Sequence, residues 1–382
     1  MKAINNDPAG IYIHVPFCIR KCSYCDFYSL PLTRRHDLDQ YTRGLTEEIA
    51  RQAEGWKDRQ FGTVYFGGGT PSLLHPEQVS RILDGLRQHL HLLPQPEISL
   101  EANPATLDRT GLRELKNAGI NRISLGVQSF RDDELEILGR IHDAGEALQA
   151  VDDIMAAGFD NFNLDLIYGI PGQRLADWIY NLEQAVACRP QHISAYLLQL
   201  DPSVPLARRI DTGAYQVLSE DQEADMYYGA LDDLAGNGFH HYEISNFARP
   251  GRECQHNLVY WQADEYLGLG PGAVSFREGR RWKNGEIMAG SDSMHEAGNH
   301  IEMLETMDHR GGFVDAVILG LRLTAGISRR QFMERFGIDF TQEYHAMIDK
   351  YMGEGLLIFD QDRLCLSRRG YFLSNLVMAE LL

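Results

Sequence analysis

Six short apolar runs alternate with amphipathic stretches through the N-terminal half of the chain. The runs cover residues 11–15, 63–66, 97–101, 122–127, 162–167 and 192–198, and each is bounded by turn-forming or polar residues. Runs of this length, rich in branched and aromatic side chains, are typical of β-strands, and the stretches between them have helical spacing. Repeated alternation of strand and helix predicts parallel strands joined by right-handed crossovers.

The two faces of these predicted strands differ in polarity. One face is aliphatic, with Ile11, Val64 and Leu164 as typical members, while the other carries polar side chains such as Glu101 and Asp165. The polar face is unlike the packed branched layers inside a closed eight-stranded barrel. We therefore predict an α/β fold in which an open six-stranded partial (β/α)6 barrel, similar to a TIM barrel, encloses a polar cavity.

The rest of the chain divides into two further predicted parts. Residues 1–205 form the partial barrel, residues 206–305 extend it, and residues 306–382 form a C-terminal domain similar to a winged helix. In this last part Ser328 is placed to cap a helix and Gly337 to end it, and a second helix follows. Gln361 and Asp362 then mark the turn of a hairpin.

Three of the six cysteines crowd into one short stretch directly after the first predicted strand. A loop can curl the thiolates of Cys18, Cys22 and Cys25 around one metal centre, and three soft ligands suit a 4Fe-4S cluster with one iron left open. Zinc is the lesser alternative, because structural zinc sites use four ligands and none follows at finger spacing. The other cysteines stand singly at Cys188, Cys254 and Cys365.

Bulk properties narrow the class of protein. The chain has 382 residues and a formal net charge of -18, which disfavours a nucleic-acid partner. No signal-type segment is apparent, and no apolar run approaches the roughly 20 residues that span a bilayer. We therefore expect a cytoplasmic protein with no transmembrane segment.

Other polar or glycine-rich segments follow the later strands. Gly67-Gly68-Gly69-Thr70-Pro71 follows the second run, and such a loop lets backbone approach a ligand closely. Glu101, Gln128 and Asp165 fall at or near the carboxyl ends of later strands, where barrel enzymes gather their chemistry. Taken singly, the glycine segment could be a merely structural turn, and Glu101 or Asp165 could be a satisfied structural carboxylate. Together they predict a ligand pocket.

The spacing Cys18-x3-Cys22-x2-Cys25, with an aromatic residue before the last cysteine, is the signature of radical S-adenosylmethionine proteins. Around it, residues 12–18 and 163–172 resemble the oxygen-independent coproporphyrinogen III oxidase group, and the resemblance covers nearly the whole chain. It implies a 4Fe-4S cluster with S-adenosylmethionine (SAM) on its open iron, and reductive cleavage to a 5'-deoxyadenosyl radical. The positions matching the family's SAM contacts are Tyr12, Gly68, Gly69, Thr70, Glu101, Gln128, Arg140 and Asp165.

Two departures from the oxidase pattern point to the haem chaperone branch of this group. The oxidase pattern has a fourth cysteine two residues after the last cysteine of the triad, and this chain has Phe27 at that position. Only 17 residues precede Cys18, so a long N-terminal extension is not seen. We therefore expect haem binding and delivery to acceptor haemoproteins, including membrane-bound respiratory enzymes. The alternative is the oxidase reaction itself, a radical oxidative decarboxylation of coproporphyrinogen III to protoporphyrinogen IX.

A third marker lies in the middle part of the chain. His256, Asn257, Tyr260 and Trp261 form a pattern that resembles the haem-binding motif of the chaperone branch. An imidazole is a common axial ligand of haem iron, and aromatic rings offer flat apolar area to a porphyrin. In the structural alternative, His256 only forms hydrogen bonds and Trp261 only fills core. His240 and His241 are further candidate ligands.

Overall fold

The computed structural model describes residues 7–33, 35–287 and 300–381. Its strands are β1 (Ala9–Val15), β2 (Phe17–Cys18), β3 (Leu30–Pro31), β4 (Gln60–Gly68), β5 (His91–Ala102), β6 (Arg122–Gln128), β7 (Phe162–Tyr168), β8 (His192–Leu197), β9 (His240–Glu243), β10 (Asn246–Ala248), β11 (Tyr266–Leu269), β12 (Val274–Arg277), β13 (Arg280–Asn284), β14 (Ile301–Thr306), β15 (Ile327–Ser328), β16 (Leu357–Asp360) and β17 (Arg363–Leu366).

The α-helices of the described residues alternate with these strands in the first half of the chain and dominate its C-terminal part. They are α1 (Arg35–Gln52), α2 (Pro76–His89), α3 (Arg109–Ala118), α4 (Asp132–Leu138), α5 (Ala144–Ala156), α6 (Leu175–Ala187), α7 (Pro205–Asp211), α8 (Glu220–Gly236), α9 (Gln255–Trp261), α10 (His309–Gly320), α11 (Arg329–Phe336), α12 (Phe340–Glu343), α13 (His345–Gly353), α14 (Arg368–Phe372) and α15 (Ser374–Ala379). None of these helices is both long and apolar enough to cross a membrane.

One twelve-stranded sheet forms the centre of the fold, in the order β14-β13-β12-β11-β1-β4-β5-β6-β7-β8-β10-β9. The strands β1 and β4 to β8 are parallel to one another, which confirms the six predicted strands and their direction. The sheet does not close on itself, because its two edges are β14 and β9. The predicted open partial barrel is therefore confirmed, and β11 adds a seventh parallel strand beside β1.

The aliphatic face of the sheet packs under the helices. Ile11, Val64 and Leu164 are completely buried, as is nearly every other aliphatic side chain predicted for this face. Burying one such side chain stabilises a fold by roughly 1.5–3 kcal/mol, so this layer fixes the register of each strand. The polar face is consequently turned to the inside of the partial barrel.

The middle part of the chain adds strands to both edges of the same sheet. β9 and β10 lie antiparallel beside β8, while β11 to β14 lie beside β1. Between them α9 lies at the amino-terminal ends of the parallel strands, where the Glu97 side chain of β5 accepts from the backbone N–H groups of Gln255 and His256. α9 therefore covers the end of the barrel opposite the strand carboxyl ends.

The C-terminal part contains a three-stranded sheet, β15-β17-β16, packed against helices around its own apolar core. The Ser328 hydroxyl accepts from the backbone of Gln331 and begins α11, and Gly337 ends that helix with a φ of 66°. Gln361, also at positive φ, forms the turn between β16 and β17. The predicted cap, stop and hairpin are thus confirmed, while the predicted domain boundaries stay predictions.

Candidate cluster and cofactor cavity

The cysteine loop is held in place by backbone contacts with three other segments. Short β2 pairs with β3, and the backbone N–H of Leu206, in α7, donates to the carbonyl of Ser23 at 2.8 Å. The backbone N–H of Ser23 donates to Leu138 at the end of α4 at 3.0 Å. The loop is consequently pinned above the carboxyl ends of the parallel strands.

Cys18, Cys22 and Cys25 are free thiols that line one cavity of about 490 Å³ at this end of the barrel. Thr70 donates to the Cys18 sulfur at 3.6 Å, and Arg140 donates to the Cys22 sulfur at 3.3 Å. Hydrogen bonds of this kind orient sulfur ligands and tune a cluster. Burial raises the pKa of the Cys18 and Cys25 thiols, so metal binding there must displace protons.

The arrangement of the thiols fits a cluster better than a single ion. In the part of the chain that the structure describes, no group of three His, Cys, Asp or Glu side chains is arranged to hold one metal ion. A 4Fe-4S cubane does not need the three sulfurs to meet at one ion, because each cysteine ligates a different iron. The three thiols line one cavity, and two of their sulfurs accept hydrogen bonds. This arrangement fits a 4Fe-4S cluster.

The glycine loop, residues 67–71 at the end of β4, forms another wall of the cavity. Gly68 has a φ of 110°, and a Cβ there would lie 2.6 Å from the His14 ring. A Cβ on Gly69 would lie 2.6 Å from the backbone oxygen of Phe17, one residue before Cys18. Only glycine lets this segment pass so close to the cysteine loop, while the predicted close approach of its backbone to a ligand stays a prediction.

Two carboxylates, one on β5 and one on β7 with β6 between them, face the cavity. Glu101 accepts from the hydroxyl of Tyr65 at 3.0 Å and from the backbone N–H of Gly68 at 3.1 Å. Asp165 accepts from Ser124 at 3.0 Å and from Asn163 at 2.8 Å. Burial, reinforced by Asp165, raises the pKa of Glu101 to about 7, and burial also raises the pKa of Asp165.

Gln128 occupies a strained position at the end of β6. Its φ is 69°, in the left-handed region that side chains other than glycine, Asn and Asp rarely adopt, and the β6–β7 register shifts just before it. Such strain costs about 1–3 kcal/mol and persists where the surrounding structure enforces it. Here the strain accompanies a side chain that lines the cavity.

Asn103 is a site residue that the sequence analysis missed. Its side-chain oxygen accepts from Arg140, and its amide nitrogen donates to Thr70 at 3.1 Å. Asn103 therefore bridges the two residues that donate to Cys18 and Cys22. Its place two residues after Glu101, at the carboxyl end of β5, was the available signal.

Most of the predicted SAM contacts come together in this cavity. Its lining includes Gly68, Gly69, Thr70, Glu101, Gln128, Arg140 and Asp165. Tyr12 is the exception, because it does not line the cavity and instead stacks on Tyr65 inside the barrel. Lining residues for which no site role was predicted from the sequence include Tyr65, Asn103, Ser124 and Tyr196.

The predicted haem motif lies at the opposite end of the barrel, in α9. His256 is only 1% exposed, and its two ring nitrogens share hydrogen bonds with Thr63 at 2.8 Å and Tyr260 at 2.9 Å. Burial, reinforced by the Arg122 cation, lowers the pKa of His256 to about 3, so the ring is neutral. In this conformation neither nitrogen is available to iron, and a haem contact of His256 stays a prediction.

The other motif residues and candidate ligands have equally local contacts. The ring of Trp261 lies under the Arg322 guanidinium at 4.3 Å, and Asn257 is half-buried. His241 stacks on Phe247 with ring centroids 4.8 Å apart, whereas His240 is exposed on β9. The structure therefore does not bring these side chains to one ligand site.

Sequence comparison identifies the family. Residues 12–185 match the model of the radical SAM superfamily, and residues 314–373 match the HemN C-terminal domain. The chain is 39% identical to haem chaperone HemW of Synechocystis over 85% of this chain and 80% of that protein. It is 34% identical to haem chaperone HemW of Lactococcus lactis over 98% of this chain and 97% of that protein.

The chain belongs to the HemW family of radical SAM proteins. Proteins of the superfamily hold a 4Fe-4S cluster and bind SAM, and the thiols and polar groups of the cavity fit both. The same architecture occurs in the solved structure of coproporphyrinogen III oxidase HemN from Escherichia coli, with a TM-score of 0.84 over 99% of this chain and 91% of that chain. Its 22% identity establishes a shared fold alone.

Proposed function

We propose that this protein is a haem chaperone that binds haem and passes it to acceptor haemoproteins. The observation that carries the proposal is its similarity to haem chaperones HemW over nearly the full length of both chains. We further propose that it acts in the cytoplasm and that membrane-bound respiratory enzymes are among its acceptors. The absence of a membrane-spanning helix from the described residues is compatible with delivery from outside the bilayer.

We propose that Cys18, Cys22 and Cys25 hold the cluster and that the cavity beside them binds SAM. When bound, the reduced cluster supplies an electron that can cleave the sulfonium of SAM. The polar side chains then have separate tasks. Glu101 and Asp165 offer negative charge to the ammonium and sulfonium groups, while Arg140 and Asn103 hold Cys22 and Thr70 in position.

The rim of the cavity is the surface that best suits a haem next to the cluster. We define this rim as Ile19, Arg20, Lys21 and Phe27, all on the cysteine loop. Ile19 is 54% exposed and Phe27 is 63% exposed. Beside them Arg20 and Lys21 are exposed cations, in a chain whose net charge is -18. A haem presents a flat apolar macrocycle and two carboxylates, so apolar area next to cations matches its chemistry. Asp26 is the one acidic residue of the loop.

The placement of haem at the rim can be separated from placement at the motif in α9. Titrating haem into anaerobically reconstituted protein should give a shifted Soret band in the parent and weaker binding in Lys21→Glu or Phe27→Asp. His256→Asn should bind haem as well as the parent. The opposite result, with loss of the Soret shift only in the His256 variant, would return the haem site to α9.

The oxidase reaction is tested in the same preparation. With SAM and reductant present, coproporphyrinogen III should yield neither carbon dioxide nor a vinyl product above the level of a Cys22→Ala control, while haem binding persists. Stoichiometric release of carbon dioxide that depends on the cluster would overturn the chaperone proposal in favour of radical decarboxylation.

A further inference from the structure

Three aromatic rings form a stack inside the barrel, between α9 and the glycine loop. The ring centroids of His256 and Tyr65 lie 5.1 Å apart at an interplanar angle of 21°, and those of His256 and Tyr12 lie 6.4 Å apart at 28°. Tyr12 and Tyr65 are themselves stacked at 6.4 Å. The buried histidine therefore packs against a tyrosine from each of two adjacent parallel strands.

Hydrogen bonds at both ring nitrogens fix the orientation of the His256 ring. Thr63 on β4 bonds one ring nitrogen, and Tyr260, one helical turn later in α9, bonds the other. The Glu97 carboxylate, which accepts from the first backbone N–H groups of α9, fixes the helix itself to β5. With its position and its plane both set, His256 is a rigid support for Tyr65.

Tyr65, one of these three rings, also lines the cofactor cavity. A Cβ on Gly67 would lie 2.9 Å from the Tyr12 ring and 3.1 Å from the Tyr65 ring, so both rings fill the space beside this glycine. Tyr65 also donates to Glu101, which in turn accepts from Gly68. A displacement of Tyr65 would therefore reach both the loop and the carboxylate that face the cavity.

We infer that His256 is a positioning residue for the SAM cavity, acting through the stacked rings of Tyr65 and Tyr12 on Glu101 and the glycine loop. This inference rests on the proposed binding of SAM in that cavity. It gives the motif in α9 a task that its buried, fully bonded histidine can perform without leaving its place. It also explains why the histidine is followed by a tyrosine one turn later, since Tyr260 satisfies the nitrogen that faces away from Thr63.

The test measures SAM affinity in the full-length, anaerobically reconstituted protein. SAM binding is followed by the change it causes in the electron paramagnetic resonance signal of the reduced cluster, and haem binding by the Soret band. His256→Ala should weaken SAM binding roughly tenfold, because Glu101 would no longer be held in place for its charge-assisted contact with SAM, while haem affinity and iron content stay unchanged. Tyr65→Phe, which keeps the ring but loses the bond to Glu101, should weaken SAM by a similar factor.

The double variant and a matched control distinguish positioning from general damage. Combining His256→Ala with Tyr65→Phe should weaken SAM clearly less than the product of the single effects, because both act through one path. Val259→Ala removes buried apolar atoms from the same helix outside the stack, so it should lower the unfolding midpoint without changing SAM affinity.

Several outcomes would overturn the inference. Unchanged SAM affinity in His256→Ala, effects that simply multiply in the double variant, or equal weakening of SAM by Val259→Ala would each do so. Loss of haem binding alone in His256→Ala would instead make the motif a haem ligand. If His256→Ala does not fold, Tyr260→Phe replaces it in the test. This variant should lose SAM affinity several-fold, and an unchanged affinity would contradict the inference. If the parent itself binds no SAM, the proposed cofactor role of the cavity fails first.

Discussion

Replacing Glu101 by Gln tests the electrostatics of the cavity, because it removes one of two buried carboxylates while keeping a similar shape. Glu101 is held between Tyr65 and the backbone of Gly68, with Asp165 close by. Burial and that neighbouring carboxylate raise the pKa of Glu101 from an ordinary 4.5 to about 7. The folded protein therefore holds the proton over a pH range in which the unfolded chain has released it.

The consequence for stability has a definite sign. Below pH 4.5 Glu101 carries its proton in both the folded and the unfolded protein, and its contribution to the free energy of unfolding is fully present. As the pH rises from 4.5 to 7 the unfolded chain ionises first, so the free energy of unfolding falls, and above pH 7 the loss is complete. A pKa change from 4.5 to about 7 corresponds to about 3 kcal/mol, and because the side chain opens onto a cavity we expect about 1–2 kcal/mol.

Glu101→Gln should remove this pH dependence from the cluster-free protein. Urea unfolding followed by tryptophan fluorescence at pH 5 and pH 8.5 should show the variant more stable than the parent by about 1–2 kcal/mol at the higher pH, with a smaller difference at pH 5. The control is Glu114→Gln, on the exposed side of α3, which should leave the profile unchanged. In reconstituted protein the same substitution should weaken SAM by roughly tenfold or more, because a carboxylate facing a cation is lost.

A stability difference that does not change with pH would contradict a raised pKa of Glu101 in the folded protein. So would a variant that becomes less stable than the parent as the pH rises. Gain of stability with loss of ligand affinity is the pattern expected of a residue kept for binding.

Three further predictions concern the walls and rim of the cavity. Gly69→Ala, whose Cβ would meet the Phe17 carbonyl at 2.6 Å, should cost about 1–3 kcal/mol in urea unfolding and reduce iron uptake, whereas Gly55→Ala, which meets nothing within 4 Å, should do neither. Gln128→Gly should relieve the left-handed backbone and raise the free energy of unfolding by about 1 kcal/mol, while SAM affinity measured by paramagnetic resonance falls. Phe27→Cys should bind haem more weakly than the parent in a Soret titration, because apolar area is lost from the rim.

The sequence contained enough to predict the strand core and most of the cavity. Alternation of aliphatic and polar positions follows from the two-residue period of a strand, so Ile11 and Val64 could be placed under helices and Glu101 inside the barrel. Parallel strands bring their carboxyl ends to one edge, which explains why Gln128 and Asp165 lie near the cysteine loop. These relations depend on local patterning and on connection geometry, both of which a sequence carries.

Other features depend on contacts between distant segments and were beyond local patterning. The bridge that Asn103 makes between Arg140 and Thr70 joins three loops, and its place two residues after Glu101 does not reveal either partner. The position of α9 at the floor of the barrel follows from Glu97, which lies far away in the chain. Motif matching alone likewise could not reveal that His256 is buried with both nitrogens bonded.

The central claim, that this protein hands haem directly to an acceptor, is tested most directly by the kinetics of transfer. Reconstituted protein loaded with haem is mixed with an apo-haemoprotein acceptor in the presence of excess albumin, which traps any haem released into solution, and the Soret band of the acceptor is followed. Direct delivery predicts that the acceptor fills at a rate that rises with its own concentration. Filling at a constant rate equal to spontaneous haem release, or capture of all the haem by albumin, would contradict it.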